Sequence, residues 1–231
     1  MIENKKVDVI KKIIEVFETG KISSNYGEVT ILSDGAGISY GKSQATDKSG
    51  TLDAIIFRYI DLGGIFSKSL EQYLEALQDD LTTTVDPKNP PAWVVNLMSI
   101  LKSAGDLDLK MKMAQDQIFD EHYWQPAVSQ CNAMKLVHPL SYAIVYDTCI
   151  HSGPGGVNRI RKLFPESPPS SGGDEKKWAD AYVRSRRAWL ASSSNSVVRK
   201  TVYRQDAFLG MIKNDNWELD KSITILGVKI Q

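Results

Sequence analysis

Two carboxylic acids near the N-terminus have the type and spacing for acid–base chemistry. Glu18 ends an apolar helical stripe that begins at Val7, and Asp34 follows sixteen residues later, directly before Gly35. An Asp-Gly pair between two short β-branched runs predicts a hairpin whose turn carries Asp34. Hydrolysis of a glycosidic bond needs one protonated acid for the leaving oxygen and one ionised base for water. The pair therefore suits a glycosidase, although Asp-Gly turns and helix-end glutamates are both common.

The environments expected for the two acids differ. A carboxyl at the end of a buried helix loses hydration, which favours its protonated form, so we expect Glu18 to be the acid. A carboxylate on a polar hairpin stays hydrated and ionised, so we expect Asp34 to be the base.

The elements that would position these residues are mainly helical. Apolar residues recur at three- and four-residue steps over 7–17, which predicts a helix, and runs at 29–32 and 37–41 predict two short strands. Residues 140–150 form an apolar run in which Asp147 is the one charge, so we predict a buried helix there. An unpaired charge in that helix would be too costly, so Asp147 must be paired. The pattern predicts a mainly α, α+β fold.

Further boundaries follow from composition. Residues 165–173 are rich in Pro, Ser and Gly and predict a linker, and two helices are predicted at 175–191 and 197–213. The length of 231 residues fits one large domain or two small ones.

Charge and composition argue against several functional classes. Lys+Arg and Asp+Glu both number 28, so a zero net charge argues against a general nucleic-acid binder. The sequence contains no window of about 18 apolar residues, so no membrane-spanning helix is predicted. Cys131 and Cys149 are too few for a disulfide framework or a four-cysteine zinc site. His122, His138 and His151 lack metal-ligand spacing, so we expect neither a metal nor a cofactor.

The charges are unevenly placed along the chain. Residues 71–86 hold five acids and no Lys or Arg, whereas residues 159–204 hold eleven Lys/Arg and four acids. Two interpretations stay open: solvated helix faces, or a cleft whose walls differ in charge.

Several segments, in order along most of the chain, resemble the family 46 glycoside hydrolases, which are chitosanases of the lysozyme-like superfamily. The segments are residues 17–19, 32–39, 49–53, 123–130, 146–155, 172–175 and 216–219. The resemblance implies a single catalytic domain over 1–231, with a two-lobed helical fold and a small β-hairpin at the active-site cleft.

The resemblance also implies an endo-acting, inverting mechanism. Glu18 matches the general acid and Asp34 the general base, and Ser39 falls where a hydroxyl helps to hold the attacking water. Such a pair leaves room for water, so we expect the carboxyl groups of Glu18 and Asp34 to lie roughly 6.5–9.5 Å apart or somewhat more.

Other site residues come from the same resemblance. Asp53 falls on a substrate-binding carboxylate, and we place Tyr40 and His151 in the sugar-binding part of the cleft. A buried network behind the acid is matched by Asp147, Arg186 and Arg204. In such a network an Arg tunes the pKa of the acid, and an Asp holds the Arg in place.

The substrate expected from the sequence is a polysaccharide of β-1,4-linked amino sugars. Ala36 and residues 40–44 depart from the family pattern beside the base, in the sugar-binding part, so two substrates stay open. The N-terminus shows no signal peptide, so we expect cytoplasmic synthesis followed by release or delivery to act outside the cell. On that ground, and because the basic stretch at 159–204 could meet the anionic cell wall, peptidoglycan is the first expectation. Chitosan is the alternative, since Asp53 and the acidic stretch at 71–86 suit an amino-sugar cation. A non-catalytic carbohydrate-binding protein is the alternative of another class, and a monomer is expected.

Overall fold

The computed structural model describes residues 2–22 and 25–230. The chain divides into two compact units, a terminal unit of residues 1–22 and 123–231 and a central unit of residues 23–122. The described residues form mostly helices and two small antiparallel sheets. The prediction of a mainly α fold with a small hairpin sheet is confirmed.

The terminal unit is helical except for a short C-terminal hairpin. Its elements are α1 Asn4–Thr19, α7 Gln125–Met134, α8 Pro139–Ser152, α9 Gly155–Arg161, α10 Glu175–Ala191, α11 Ser196–Lys200, α12 Tyr203–Lys213, β4 Thr224–Ile225 and β5 Val228–Lys229.

Helix α8 is the centre of the terminal unit. Every residue from Pro139 to Cys149 is buried, as the unbroken apolar run predicted. Helices α1, α7 and α9 pack against α8, and α10 packs against both α8 and α12. A helix surrounded in this way needs no polar face, which explains why its sequence lacks amphipathic periodicity.

The central unit joins a three-stranded sheet to a helical layer. Its elements are β1 Val29–Leu32, β2 Gly37–Tyr40, β3 Ala45–Thr46, α2 Thr51–Asp61, α3 Ser67–Glu71, α4 Leu74–Gln78, a 3₁₀ turn Leu81–Thr84, α5 Ala92–Leu107 and α6 Leu109–Phe119. The strand order is β1-β2-β3, with Thr30 opposite Ser39. A π-helical segment, Asp120–Trp124, follows α6.

The helix predicted at 197–213 is interrupted between α11 and α12. The hydroxyl of Thr201 donates to the carbonyl of Val198 at 2.7 Å. A side-chain bond of this kind competes with the helical ladder of the backbone. The linker predicted at 165–173 contains one short 3₁₀ turn, Pro169–Ser171. The β4–β5 hairpin was not predicted; its turn places Leu226 at a φ of 51°, an uncommon conformation for that residue.

Candidate active site

The last turn of α1 presents Glu18. The helix ends at Gly20, whose φ of 73° lets its N–H bond the carbonyl of Val16 at 2.9 Å. Phe17 points into the core, whereas the side chain of Glu18 is 44% exposed. The expectation that Glu18 is buried is therefore wrong, because Glu18 follows Phe17 by one residue, about 100° further round the helix, and so lies beside the buried stripe.

Arg204 holds the Glu18 carboxylate. Its Nη2 donates to Oε1 of Glu18 at 2.7 Å, and the same nitrogen donates to Oδ1 of Asp147 at 2.5 Å. The guanidinium is almost fully buried. Burial alone would lower the pKa of Arg204, but the charges of Asp147 and Glu18 raise it above its usual value. Arg204 therefore remains a permanent cation behind Glu18.

Asp147 is buried within α8 and receives donors from two other helices. Arg204 Nε donates to Oδ1 at 2.8 Å, Arg186 Nη1 donates to Oδ2, and Gln205 Nε2 donates to Oδ2 at 3.3 Å. Burial raises the pKa of Asp147, but the charges of Arg204 and Arg186 outweigh it and hold the pKa below its usual value. The structure thus brings together Glu18, Arg204, Asp147 and Arg186, which the sequence analysis grouped. The sequence analysis missed Gln205, which also donates to Asp147. Its position next to Arg204 in the sequence was the one signal that could have indicated this role.

His151 lies in the last turn of α8 and is half-buried. Burial lowers its pKa, and the positive charges of Arg186 and Arg204 lower it further. The imidazole is therefore neutral at neutral pH, and its Nδ1 lies 3.3 Å from Oγ of Ser152. A neutral ring is suited to hydrogen bonding with a sugar hydroxyl.

Asp34 occupies the turn between β1 and β2, in the central unit. The side chain is exposed, and its Oδ1 accepts a hydrogen bond from the N–H of Ala36 at 3.0 Å. This bond forms an Asx-turn that fixes one carboxylate oxygen. The hairpin and the hydrated position of Asp34 are as predicted.

The strand after Asp34 is held against the 3₁₀ turn by a buried cluster. Oδ2 of Asp47 accepts hydrogen bonds from the N–H and the hydroxyl of Thr82, and the N–H of Ile38 donates to Oγ1 of Thr82 at 3.0 Å. A Cβ at Gly37 would lie 2.4 Å from that oxygen, so only glycine fits there. Asp47 was missed by sequence reasoning.

Two residues of β2 have different surroundings from those predicted. The hydroxyl of Tyr40 is buried and donates to the carbonyl of Leu101 at 2.7 Å. The prediction that Tyr40 binds substrate is therefore wrong, because its side chain lies on the core face of the strand. Ser39 is also buried, and its hydroxyl donates to Oε1 of Gln44 at 2.7 Å. A role of Ser39 in holding water stays a prediction.

Asp53 lies in the first turn of α2. Burial raises its pKa to about 6, and the negative charges of Asp47 and Asp80 contribute to the rise. Within the described part of the chain, its buried Oδ1 has no hydrogen-bond partner. A cationic ligand would stabilise the ionised form of this carboxyl group.

Across residues 2–22 and 25–230, no group of three or more His, Cys, Asp or Glu side chains is arranged to hold a metal ion. No helix in the same ranges has the length and apolar character to cross a bilayer.

Comparison with known proteins identifies the family. The model of glycosyl hydrolase family 46 matches residues 12–223. The chain belongs to glycosyl hydrolase family 46. It is thus a glycoside hydrolase, as the resemblance implied.

Chitosanases are among the proteins that this chain resembles in sequence and in fold. The chain is 27% identical over 227 residues to a chitosanase of Bacillus subtilis strain 168, covering 93% of this chain and 79% of the relative. A mutant chitosanase from Bacillus subtilis MY002, complexed with 6 GlcN, superposes with a TM-score of 0.80 at 24% identity over the full length of both chains. A Gynuella sunshinyii family 46 chitosanase in complex with chitotetraose gives 0.77 at 23% identity, covering 99% of this chain and 98% of that one.

Proposed function

We propose that this protein is an endo-acting chitosanase that cleaves β-1,4 bonds between glucosamine units with inversion. The observation that carries the proposal is the Glu18–Arg204–Asp147 chain of contacts in a member of family 46. It places a solvent-accessible carboxyl group on a buried, charged support, which suits a group that must meet a large substrate and hold one position.

In the proposed reaction, Glu18 delivers a proton to the glycosidic oxygen as the bond to the anomeric carbon breaks. Asp34 takes a proton from a water molecule, whose oxygen attacks the anomeric carbon from the opposite face. Arg204 engages Oε1 of Glu18, so the proton is delivered from Oε2. The Asx-turn engages Oδ1 of Asp34, so Oδ2 is the oxygen that accepts the proton.

Charge supports glucosamine polymers over other amino-sugar polymers. Residues 23–122 hold 8 Lys/Arg and 15 Asp/Glu, so the central unit carries a net charge of −7. Chitosan is a polycation, which an acidic surface attracts. Asp53 adds a carboxylate oxygen that has no partner in the described chain. An ammonium group of the substrate would supply the missing charge and donor.

The order of substrates proposed here reverses the expectation from sequence. Peptidoglycan came first there, because of the basic stretch at 159–204 and the N-terminus. Family membership and relatives that are chitosanases support chitosan better. Because such a polymer cannot enter a cell, action outside the cytoplasm is part of the proposal.

Parallel assays on the purified protein test this function. We expect new reducing ends from soluble chitosan and no fall in turbidity of purified peptidoglycan. The variant Glu18→Gln is the matched control, since it has the same size but cannot donate the proton. Its rate should fall roughly 10²–10⁴-fold. Clearing of peptidoglycan without cleavage of chitosan would overturn chitosan as the proposed substrate. An active Glu18→Gln would overturn the assignment of Glu18 as the acid.

A further inference from the structure

A second contact reaches the helix turn that carries Glu18. The last carbonyls of an α-helix have no partner within the helix. The carbonyl of Phe17 accepts a hydrogen bond from the hydroxyl of Tyr203 at 2.7 Å, across 186 residues of sequence. Tyr203 thus caps α1 from a different helix, one peptide before Glu18.

The ring of Phe17 is held by the same helix. Tyr203 and Phe208 both pack edge-on against it, with ring centroids 5.9 and 5.3 Å away. The guanidinium carbon of Arg204 lies 5.0 Å from the ring centroid. Three side chains of α12 therefore hold the ring of Phe17 in place. Because Phe17 directly precedes Glu18, these contacts also fix the backbone from which the Glu18 side chain projects.

We propose that Tyr203 is a positioning residue for the general acid: its hydroxyl holds the backbone before Glu18 while Arg204 holds the carboxylate. Two consecutive residues of α12 then bind two consecutive residues of α1. Tyr203 donates to the main-chain carbonyl of Phe17, and Arg204 donates to the side chain of Glu18. The inference rests on the proposed role of Glu18. It accounts for how an acid with a 44% exposed side chain keeps a defined place.

The state of the phenol agrees with this role. Burial raises the pKa of Tyr203 above its usual value, so the hydroxyl stays protonated and remains a donor wherever the enzyme works. The bond to Phe17 therefore persists while carboxyl groups titrate.

The variant Tyr203→Phe tests the proposal, because it keeps the ring contacts and removes only the donor. We expect kcat on chitosan to fall about 5- to 30-fold with KM within about twofold, since misplacing a catalytic group affects the chemical step more than binding. The matched control is Tyr182→Phe. Tyr182 is buried in the same unit and donates to Oγ1 of Thr148 at 3.1 Å, with no bond to α1. Its kcat should stay near the wild-type value.

A second substrate separates positioning of the acid from general loosening of the fold. A glucosamine oligosaccharide that releases 4-nitrophenol needs little help from a general acid, because the leaving group is already stable as an anion. We expect Tyr203→Phe to release nitrophenol at nearly the wild-type rate while it is slow on chitosan. Equal losses on both substrates would show a merely structural role and overturn the proposal.

The remaining outcomes are distinct. If Glu18→Gln is inactive on chitosan but Tyr203→Phe equals wild type, the positioning role fails and the proposed function stands. If Glu18→Gln is active, the proposed function fails with it. An unfolded Tyr203→Phe beside a folded Tyr182→Phe would also count against positioning, because Tyr203 would then be required for folding.

Discussion

Arg204 donates from Nε to Oδ1 of Asp147 at 2.8 Å, and this bond fixes the guanidinium that reaches Glu18. Asp147 has no exposed surface, and Arg204 is 2% exposed. The buried, hydrogen-bonded carboxylate of Asp147 therefore orients the guanidinium of Arg204, and that guanidinium positions the exposed carboxylate of Glu18. The chain of contacts makes stability and activity depend on one residue.

The variant Arg204→Ala should lose both properties. Asp147 would keep Arg186 and Gln205 but lose its partner at Oδ1, and removing one member of a buried pair costs roughly 3–5 kcal/mol of unfolding free energy. Urea denaturation followed by circular dichroism measures the loss. Arg187→Ala is the control, because Arg187 of α10 pairs with Asp206 of α12 at the protein surface, where an ion pair contributes little to stability. An unchanged unfolding free energy in Arg204→Ala would contradict the buried network.

The variant Asp34→Asn should keep its hairpin but lose turnover. An asparagine Oδ1 can accept the same bond from the N–H of Ala36, so the turn is preserved. The amide cannot take a proton from water, so we expect kcat to fall about 10²-fold or more with KM nearly unchanged. Steady-state kinetics on glucosamine oligosaccharides check this. A rise in KM with normal kcat would make Asp34 a binding residue instead.

Asp53 should make substrate binding depend on pH near 6. Its pKa is raised to about 6 in the folded protein, so the group is largely neutral below that pH and ionised above it. If Asp53 binds a substrate ammonium group, KM should fall as pH rises through 6. The substrate's own titration is identical for wild type and Asp53→Asn, so the difference between their KM profiles isolates Asp53. Parallel profiles would argue against contact with the ammonium group.

The same group predicts a pH-dependent stability difference. A carboxyl whose pKa is higher folded than unfolded binds its proton more tightly when folded, so its stabilising contribution is present below about 4 and is lost as pH rises to about 6. The Tm of Asp53→Asn relative to wild type should therefore be more favourable at pH 8 than at pH 4. A Tm difference that is the same at pH 4 and pH 8 would contradict the raised pKa of Asp53.

The stereochemistry of the first product tests the division of roles. If Asp34 activates water, a β-linked chain should first yield the α-anomer. Proton NMR of the anomeric signals in the first minutes, before mutarotation, distinguishes the two anomers. An initial β-anomer would mean retention, and Asp34 would become a nucleophile or yield that role to the substrate.

The sequence by itself determined the elements whose pattern is local. The stripe over 7–17 predicted α1, the apolar run at 140–150 predicted α8, and Asp34-Gly35 predicted the first hairpin. These succeeded because periodicity and turn chemistry depend on neighbours within a few residues. A lone charge in α8 also required that Asp147 be paired.

Only the tertiary structure decided what depends on residues far apart in sequence. Tyr40 belongs to the core because α5 supplies the carbonyl for its hydroxyl, 61 residues away. The last turn of α1 is held by α12, whose Tyr203 donates to the carbonyl of Phe17 and whose Arg204 donates to Glu18, both across 186 residues. Likewise, the pKa of Asp53 is set by burial and by carboxylates from two other segments. Each is fixed by packing between distant elements, which no short-range pattern records.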